Sequence, residues 1–531
     1  PRPLSPGGGE GGQFLVASFQ LAINSEWWVW LRDEDEWEGR GVIRVLLLLC
    51  GWCVFCCGEL WGQEESAAGV VRPNMILFLA DDLGWGDLGC YGHPLIRTPH
   101  LDRFAGEGLR LTSCYAASAV CSPSRSALLT GRTPHRNGVY TWIAEGAPVH
   151  LRTSERTLPG LLRESGYTTC HTGKWHLNGL FNRPEHPQPD AHGYDWWLAT
   201  QNNAAPSHHN PVNFVRNGVP VGGMEGYSAL LTVDEAVRWL QRERDRSRPF
   251  FLTVWTHEPH YPISAAPEYQ QMYPELEDQV QREHHANVTQ LDAAFGRLMK
   301  ALDDEQLTDQ TLVVFTSDNG PEGDGVKTPG RGSTGGLRGR KRHLYEGGIR
   351  VPGLVRWPGR VTAGTVSAVP VIGSDFFATL LAAAGVSVPN DRVLDGVNVL
   401  PVLTGTATAV ERQRPLYWRL LMAPQMKSAL RDGDWKLLAD ERLEVFELYN
   451  LREDERETTD LRDREPETFE RLKATLMALT AEVDAEGPDW WKTLSPNGGN
   501  QPKAKQEPGV KKGKQRAKQP AAAGTEQRGE Q

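Results

Sequence analysis

Runs of consecutive apolar residues, each ending abruptly in ionisable ones, punctuate this chain. The first is NMILFLADD, residues 74–82, in which six apolar side chains lead directly into Asp81 and Asp82. No alternation of polar and apolar positions interrupts it, which predicts a strand buried on both faces. The same ending recurs. YTTCHTGKWH (167–176) follows the amphipathic TLPGLLRESG, whose Gly166 suits a helix C-terminus. RPFFLTVWTHEPH (248–260) follows the helical LLTVDEAVRWLQRER, and TLVVFTSDNG (311–320) follows NVTQLDAAFGRLMKALDDEQ. Helix then strand, several times over, predicts an α/β fold with a large mixed, mostly parallel sheet flanked by helices.

The pattern changes at about residue 410. Short strand-like stretches joined by turns follow, with Asp432-Gly433 as a hairpin signal, and then a polar helix through PETFERLKATLMALTAEV. This predicts a catalytic α/β domain over 73–405 and a smaller α+β subdomain over 410–490. From 496 to 531 the chain is rich in Pro, Gly, Gln and Lys with almost no large apolar residue, and reads as a disordered basic tail exposed to solvent. At the other end, Arg44 precedes VLLLLCGWCVFCC and then GELWGQEES. A basic residue, a short apolar core and small polar residues predict a signal peptide at about 41–63 within a leader covering 1–65. The run is too short for an ordinary membrane span, so the expected product is secreted or periplasmic with no stable membrane anchor.

Composition narrows the function classes. With 531 residues, 39% hydrophobic and 23% charged, this is the make-up of a globular protein with a large core. A net charge of −10 argues against a nucleic-acid partner and requires that any anionic substrate meet a local cationic pocket. Of eight cysteines, Cys50, Cys53, Cys56 and Cys57 lie in the leader. Cys90, Cys114, Cys121 and Cys170 remain, with no CxxC pair, which argues against a zinc or thioredoxin-like site. One disulfide among Cys90, Cys114 and Cys170 suits an oxidising compartment.

In open α/β sheets, ligands bind beyond the carboxyl ends of the strands. Four strand ends here carry ionisable groups: Asp81 and Asp82; Lys174 and His176; His257; Asp318 and Asn319. The three aspartates and the asparagine offer hard oxygen ligands, a set suited to Ca2+ or Mg2+. Lys174, His176, His257, Lys341 and Arg125 add cations in strand ends and loops, as an oxyanion such as sulfate or phosphate needs.

CSPSRSALLTGR (121–132) has the C-x-P-S-R…L-T-G-R pattern of the formylglycine-dependent sulfatases. NMILFLADDLGWGDLGCYG, TGKWHL, THEPH, TSDNG and YEGGIRVP also resemble that family's blocks, in the family's order, over residues 73–480. The resemblance implies an alkaline phosphatase-like fold and hydrolysis of sulfate monoesters, from a sulfated glycan or an aryl sulfate. It implies that a formylglycine-generating maturation enzyme oxidises Cys121 to Cα-formylglycine. One hydroxyl of the hydrated aldehyde would attack sulfur, and the second would then expel sulfate. On the same resemblance, Asp81, Asp82, Asp318, Asn319 and the modified Cys121 hold the metal, with Ca2+ favoured over Mg2+. Arg125 clamps the formylglycine, Lys174 bridges nucleophile and sulfate, His176 is the base of the elimination, and His257 and Lys341 contact the sulfate and the leaving oxygen. A further sulfate ligand is expected among Gln201, Asn202 and Asn203. Asn178 stands where the family often has glycine, which touches the loop rather than the chemistry.

Two other functions fit parts of the pattern: a phosphomonoester or phosphonate-ester hydrolase of the same superfamily, and an inactive glycan-binding homologue in which Cys121 is never converted. The intact metal and cation set argues against the second. Elsewhere the plainer readings are preferred. Asn287 of the NVT sequon lies in a helical pattern. The pairs His208-His209 and His284-His285 read as surface histidines, and Trp196-Trp197 and Trp490-Trp491 as core or docking residues.

Overall fold

The Asn74–Ala80 run forms strand β1, wholly buried, in a computed structural model that describes residues 72–323 and 332–488. The expected leader, the basic tail and the Trp490-Trp491 pair lie outside the described residues. Side chains of a strand alternate between faces, and those of β1 are apolar on both. Met75, Leu77 and Leu79 enter one core with Leu128, Leu158 and Phe377; Ile76 and Phe78 enter a second with Phe104, Val233 and Phe295. Helices must therefore cover both faces. Helices α1 (Pro99–Gly106), α4 (Ser228–Arg238) and α5 (Gln279–Asp304) cover the second, whereas α2 (Cys121–Thr130), α3 (Leu158–Glu164) and α6 (Asp375–Ala383) cover the first. Each large side chain so buried contributes about 1.5–3 kcal/mol.

The remaining strands of this sheet are β2 (Leu109–Tyr115), β3 (Thr168–Lys174), β4 (Trp196–Thr200), β5 (Val215–Arg216), β6 (Val219–Pro220), β7 (Phe250–Trp255), β8 (Thr311–Ser317), β9 (Arg350–Arg356), β10 (Thr365–Ser367) and β11 (Val371–Ile372). Their order is β10-β2-β9-β8-β1-β7-β3-β4-β5-β6, with β11 beside β2. β1 runs parallel to β7 and β8, and β3 parallel to β7 and β4; β9 is antiparallel to its neighbours β2 and β8. Trp255 pairs with Leu79 and Gly173, and Ser317 pairs with Ala80, so the four ionisable strand ends emerge level along one edge. This is the expected mixed, mostly parallel α/β sheet.

A second sheet follows: β12 (Leu416–Arg419), β13 (Ser428–Asp432), β14 (Trp435–Ala439) and β15 (Phe446–Asn450), antiparallel in chain order. Asp432 pairs with Trp435, leaving Gly433-Asp434 as a two-residue turn in which Gly433 takes a φ of +60°. Helix α7 (Pro466–Glu486) seals one face through Leu472, Leu476 and Val483. The other face packs Trp418 and Leu438 near Tyr115 and Ile372 of the large sheet. Beneath this contact Lys436 Nζ lies 2.9 Å from Glu346 and 2.8 Å from Glu457, and the Tyr115 hydroxyl donates to Glu346 at 2.6 Å.

Two expectations are corrected. Cys90, Cys114, Cys121 and Cys170 are all unpaired, with Cys114 and Cys170 in the cores on opposite faces of the sheet. His208, His284 and His285 are buried rather than on the surface, because Tyr273 and His93 pack over His285 and the Glu258 loop covers His208. Asn287 is also buried and its amide donates to the Ser264 carbonyl at 2.9 Å. Among the described residues no helix is long and apolar enough to cross a membrane.

Candidate active site

Val120 is extended (φ −149°) and helix α2 begins at Cys121, so the thiol stands at a helix N-terminus, where the macrodipole favours negative charge. The whole helix is buried, and its serines satisfy themselves: Ser124 Oγ bonds the Ser118 N–H and carbonyl, Ser126 Oγ donates to Pro123 O, and Ser122 Oγ accepts from Ile143 N. Gly131 ends it at φ +69°, where a Cβ would come within 2.6 Å of Phe377. One turn into the helix, Arg125 bonds Asp318 Oδ2 through Nη2 (2.7 Å) and Nε (3.1 Å), and its guanidinium lies 5.2 Å over the Trp255 ring.

Around Cys121 the strand ends close in as the sequence predicts. Cys121 Sγ is 3.6 Å from Asp81 Oδ1, and Lys174 Nζ is 2.6 Å from Asp81 Oδ2. Asp82 receives Asn319 Nδ2 at 2.6 Å and Lys341 Nζ at 2.7 Å, while its own N–H donates to Asp318 Oδ1 at 3.1 Å. Asp82 and His176 hold left-handed backbone conformations, φ +66° and +56°, that cost a side-chain-bearing residue free energy.

Burial pushes the Asp81 carboxyl up, but the Lys174 ammonium, with His260, Arg125 and Lys341, outweighs it and holds the group well below the usual carboxylate range. Burial also pushes Asp82 up, and there Lys341 is opposed by Glu322, Asp81 and Asp318, leaving it well above that range. Asp318 is raised by burial and Asp81 against the pull of Arg125. Bringing Asp82 and Asp318 to the ionised form beside Asp81 takes more positive charge than Lys341 and Arg125 supply there. A hard divalent cation fits: ligand atoms of Asp81, Asp82, Cys121 and His260 lie within 4.8 Å of one another, and Asn319 Oδ1 is buried with no hydrogen-bond partner while its amide nitrogen is fully engaged.

Cys121, His176, Lys341, Asn202 and Trp142 line a pocket of about 200 Å3. His176 Nε2 lies 3.0 Å from the Ile143 carbonyl, which can only accept, so Nε2 carries the proton and the buried, unpartnered Nδ1 is free to take one. Burial, with Lys174 and Arg125, keeps this imidazole neutral. A larger cavity of about 770 Å3 lies at the β10 edge, between Thr365 and Arg412, and holds none of these groups.

His257 does not face the pocket, contrary to expectation. Its Nε2 is 2.8 Å from Thr200 Oγ1, and that hydroxyl donates to Asn202 O at 2.7 Å, so His257 braces the loop carrying Asn202. His260, three residues on, lines the pocket, with Nε2 3.7 Å from Asp82 Oδ2. The H-x-x-H spacing of THEPH offers both histidines, and the fold sets the second at the pocket. Of the three polar candidates after β4, Gln201 donates to Ile143 O and Asn178 O, Asn203 to Tyr261 O, and Asn202 alone lines the pocket. Asn178 in turn donates to Pro187 O. Glu322 also lines the pocket, and nothing in its local sequence marked it.

Residues 73–386 match the sulfatase family model, and residues 339–483 match that of the N-sulphoglucosamine sulphohydrolase C-terminal region. The human N-acetylgalactosamine-6-sulfatase is 38% identical over 368 residues, covering 64% of this chain and 67% of that protein. Human arylsulfatase A is 34% identical over 396 residues, covering 68% of this chain and 74% of that protein. Among solved structures, Ps i-CgsB in complex with k-i-k-neocarrahexaose superposes with a TM-score of 0.69 at 27% identity, covering 78% of this chain and 94% of that one.

Proposed function

The chain belongs to the sulfatase family and is a sulfuric ester hydrolase, and on that footing we propose that it removes sulfate from a sulfated glycan through a formylglycine made from Cys121. The observation that carries the proposal is the position of Cys121: a thiol at the N-terminus of a buried helix, 3.6 Å from a carboxylate, in the wall of a cationic pocket. Burial pushes that thiol well above its usual range despite Lys174 and Lys341, so it is a poor thiolate nucleophile and a reasonable precursor. Sulfated-sugar substrates are supported by relatives whose names specify N-acetylgalactosamine-6-sulfate chemistry and by Ps i-CgsB, whose structure holds a neocarrahexaose.

Formylglycine supplies paired hydroxyls, one a nucleophile for sulfur and the other the group through which sulfate is expelled. Asp81, Asp82, Asp318 and Asn319 would hold Ca2+, which neutralises charge and acidifies the attacking hydroxyl. Arg125, anchored on Asp318, fixes residue 121. Lys174, Lys341 and His260 offer donors to the sulfate oxygens, with His260 or Lys341 protonating the departing alcohol oxygen. His176 Nδ1 takes the proton of the elimination. Asn202 orients the sulfate, with His257 acting behind it as a positioning residue. The apolar run VLLLLCGWCVFCC after Arg44 supports export before action.

Mass spectrometry of the Cys121 peptide, from protein made with a formylglycine-generating enzyme, should show the aldehyde in molecules that release sulfate from an aryl ester. Sulfate release by protein with an unmodified Cys121 would refute the nucleophile assignment.

A further inference from the structure

Glu322 is a carboxylate in the wall of a pocket that receives an anion. Its side chain is 10% exposed, and its Oε1 accepts from Arg342 Nη2 at 2.8 Å. Its Oε2 lies 3.4 Å from Lys341 Nζ and 3.7 Å from His260 Nε2. Arg342 is placed deliberately. It adopts φ +77°, its backbone N–H donates to Ala119 O at 2.8 Å, and it lines the same pocket as Val120 and Cys121. One carboxylate thus touches three of the positive or proton-donating groups that line the pocket. A tether for the loop would need only Arg342, and Lys341 already pairs with Asp82 at 2.7 Å.

We propose that Glu322 is a specificity-determining residue that matches the pocket's charge to a monoanionic sulfate ester and disfavours a dianionic phosphate monoester of the same shape. The inference rests on the sulfatase reading above and concerns how the same site selects its substrate. Sulfate and phosphate monoesters are both tetrahedral oxyanions of similar size, so shape discriminates poorly between them. Charge does discriminate: a sulfate monoester carries one negative charge near neutrality, whereas a phosphate monoester, with a second pKa of about 6, carries nearly two. Lys341, Arg342 and Glu322 together present a single net positive charge, where the two cations alone would present two. Glu322 repels both esters, but the second charge of a phosphate ester adds a repulsion at short range that the singly charged sulfate ester lacks.

The test compares kcat/KM for para-nitrophenyl sulfate and para-nitrophenyl phosphate in the matured, Ca2+-loaded full chain. In Glu322→Gln the phosphate-to-sulfate ratio should rise about tenfold, the effect of removing one unit charge a few ångströms from the added one in a partly shielded site. Glu322→Asp keeps the charge and should keep the wild-type ratio. Arg342→Gln, which removes a positive charge, should move the ratio further toward sulfate, and it decides the question if Glu322→Gln does not fold. An unchanged ratio in Glu322→Gln, with both rates falling together, would overturn the proposal and leave Glu322 as a tether. Failure of the wild type to cleave the sulfate ester would instead overturn the sulfatase reading.

Discussion

Replacing His260 with alanine should cost the enzyme far more activity than replacing His257, although both belong to THEPH and both are histidines. His260 lines the pocket, its side chain is 14% exposed, and its nearest partners are Asp82 and Glu322, each 3.7 Å away. Removing a donor aimed at charge that develops in the transition state costs about 10²–10³ in kcat, or about 2.7–4 kcal/mol. The same change breaks no hydrogen bond within normal distance and enlarges the pocket rather than leaving a closed cavity, so the melting temperature should move little. His257 is wholly buried against Phe214 and His208 and gives up a 2.8 Å bond to Thr200. His257→Ala therefore leaves a cavity and takes one of the two hydrogen bonds of the Thr200 hydroxyl, for a loss of stability of about 2–4 kcal/mol. Its effect on kcat/KM should be about tenfold or less, transmitted through Asn202. The assay is kcat/KM for an aryl sulfate per formylglycine-containing molecule, paired with thermal melts of both variants. A His257 variant that melts like the wild type but loses 10³-fold in kcat/KM, beside an active His260 variant, would refute the assignment.

Two further outcomes follow from buried groups away from the pocket. His192 is wholly buried, has no hydrogen-bond partner on either ring nitrogen, and is pushed by burial down to about 3. The unfolded chain takes up its proton near pH 6.5 while the folded chain resists, so its contribution is complete above that pH and is lost as the pH falls toward about 3. Between about pH 7 and about pH 5 the wild type should lose about 2 kcal/mol relative to His192→Phe in urea unfolding, and a pH-independent difference would contradict this. Lys436→Met strands Glu346 and Glu457 without their shared ammonium in a buried site, and should lower stability by about 3–5 kcal/mol. A change below about 1 kcal/mol in the same assay would show that these carboxylates are neutral in the fold.

The architecture was readable because its central strands are covered on both faces. β1, β7 and β8 leave unbroken runs of apolar or small residues, and β3 is a threonine-rich run interrupted by His171; the change to Asp, Lys, His or Asn marks where each strand ends. The same abrupt endings made Asp81, Asp82, Lys174, His176, Asp318 and Asn319 visible. Other features depended on partners distant in sequence. His284 and His285 sit on what reads as a polar helix face, but Tyr273 and His93 cover part of it. Cys90, Cys114 and Cys170 permit a disulfide by count, while the sheet itself separates Cys114 from Cys170.

The chain's order of residues thus determined which chemical groups end each strand, the helix that presents Cys121, and the family to which the whole belongs, because these follow from local hydrophobic pattern and from contiguous motifs. Which histidine of THEPH lines the pocket was decided only in three dimensions. Thr200, at the end of another strand, captures His257 and leaves His260 to the pocket. Glu322 likewise looks like any loop acid until folding sets it against Lys341, Arg342 and His260. A side chain's chemistry is local, but its direction and its charge environment come from neighbours that the fold brings from far along the chain.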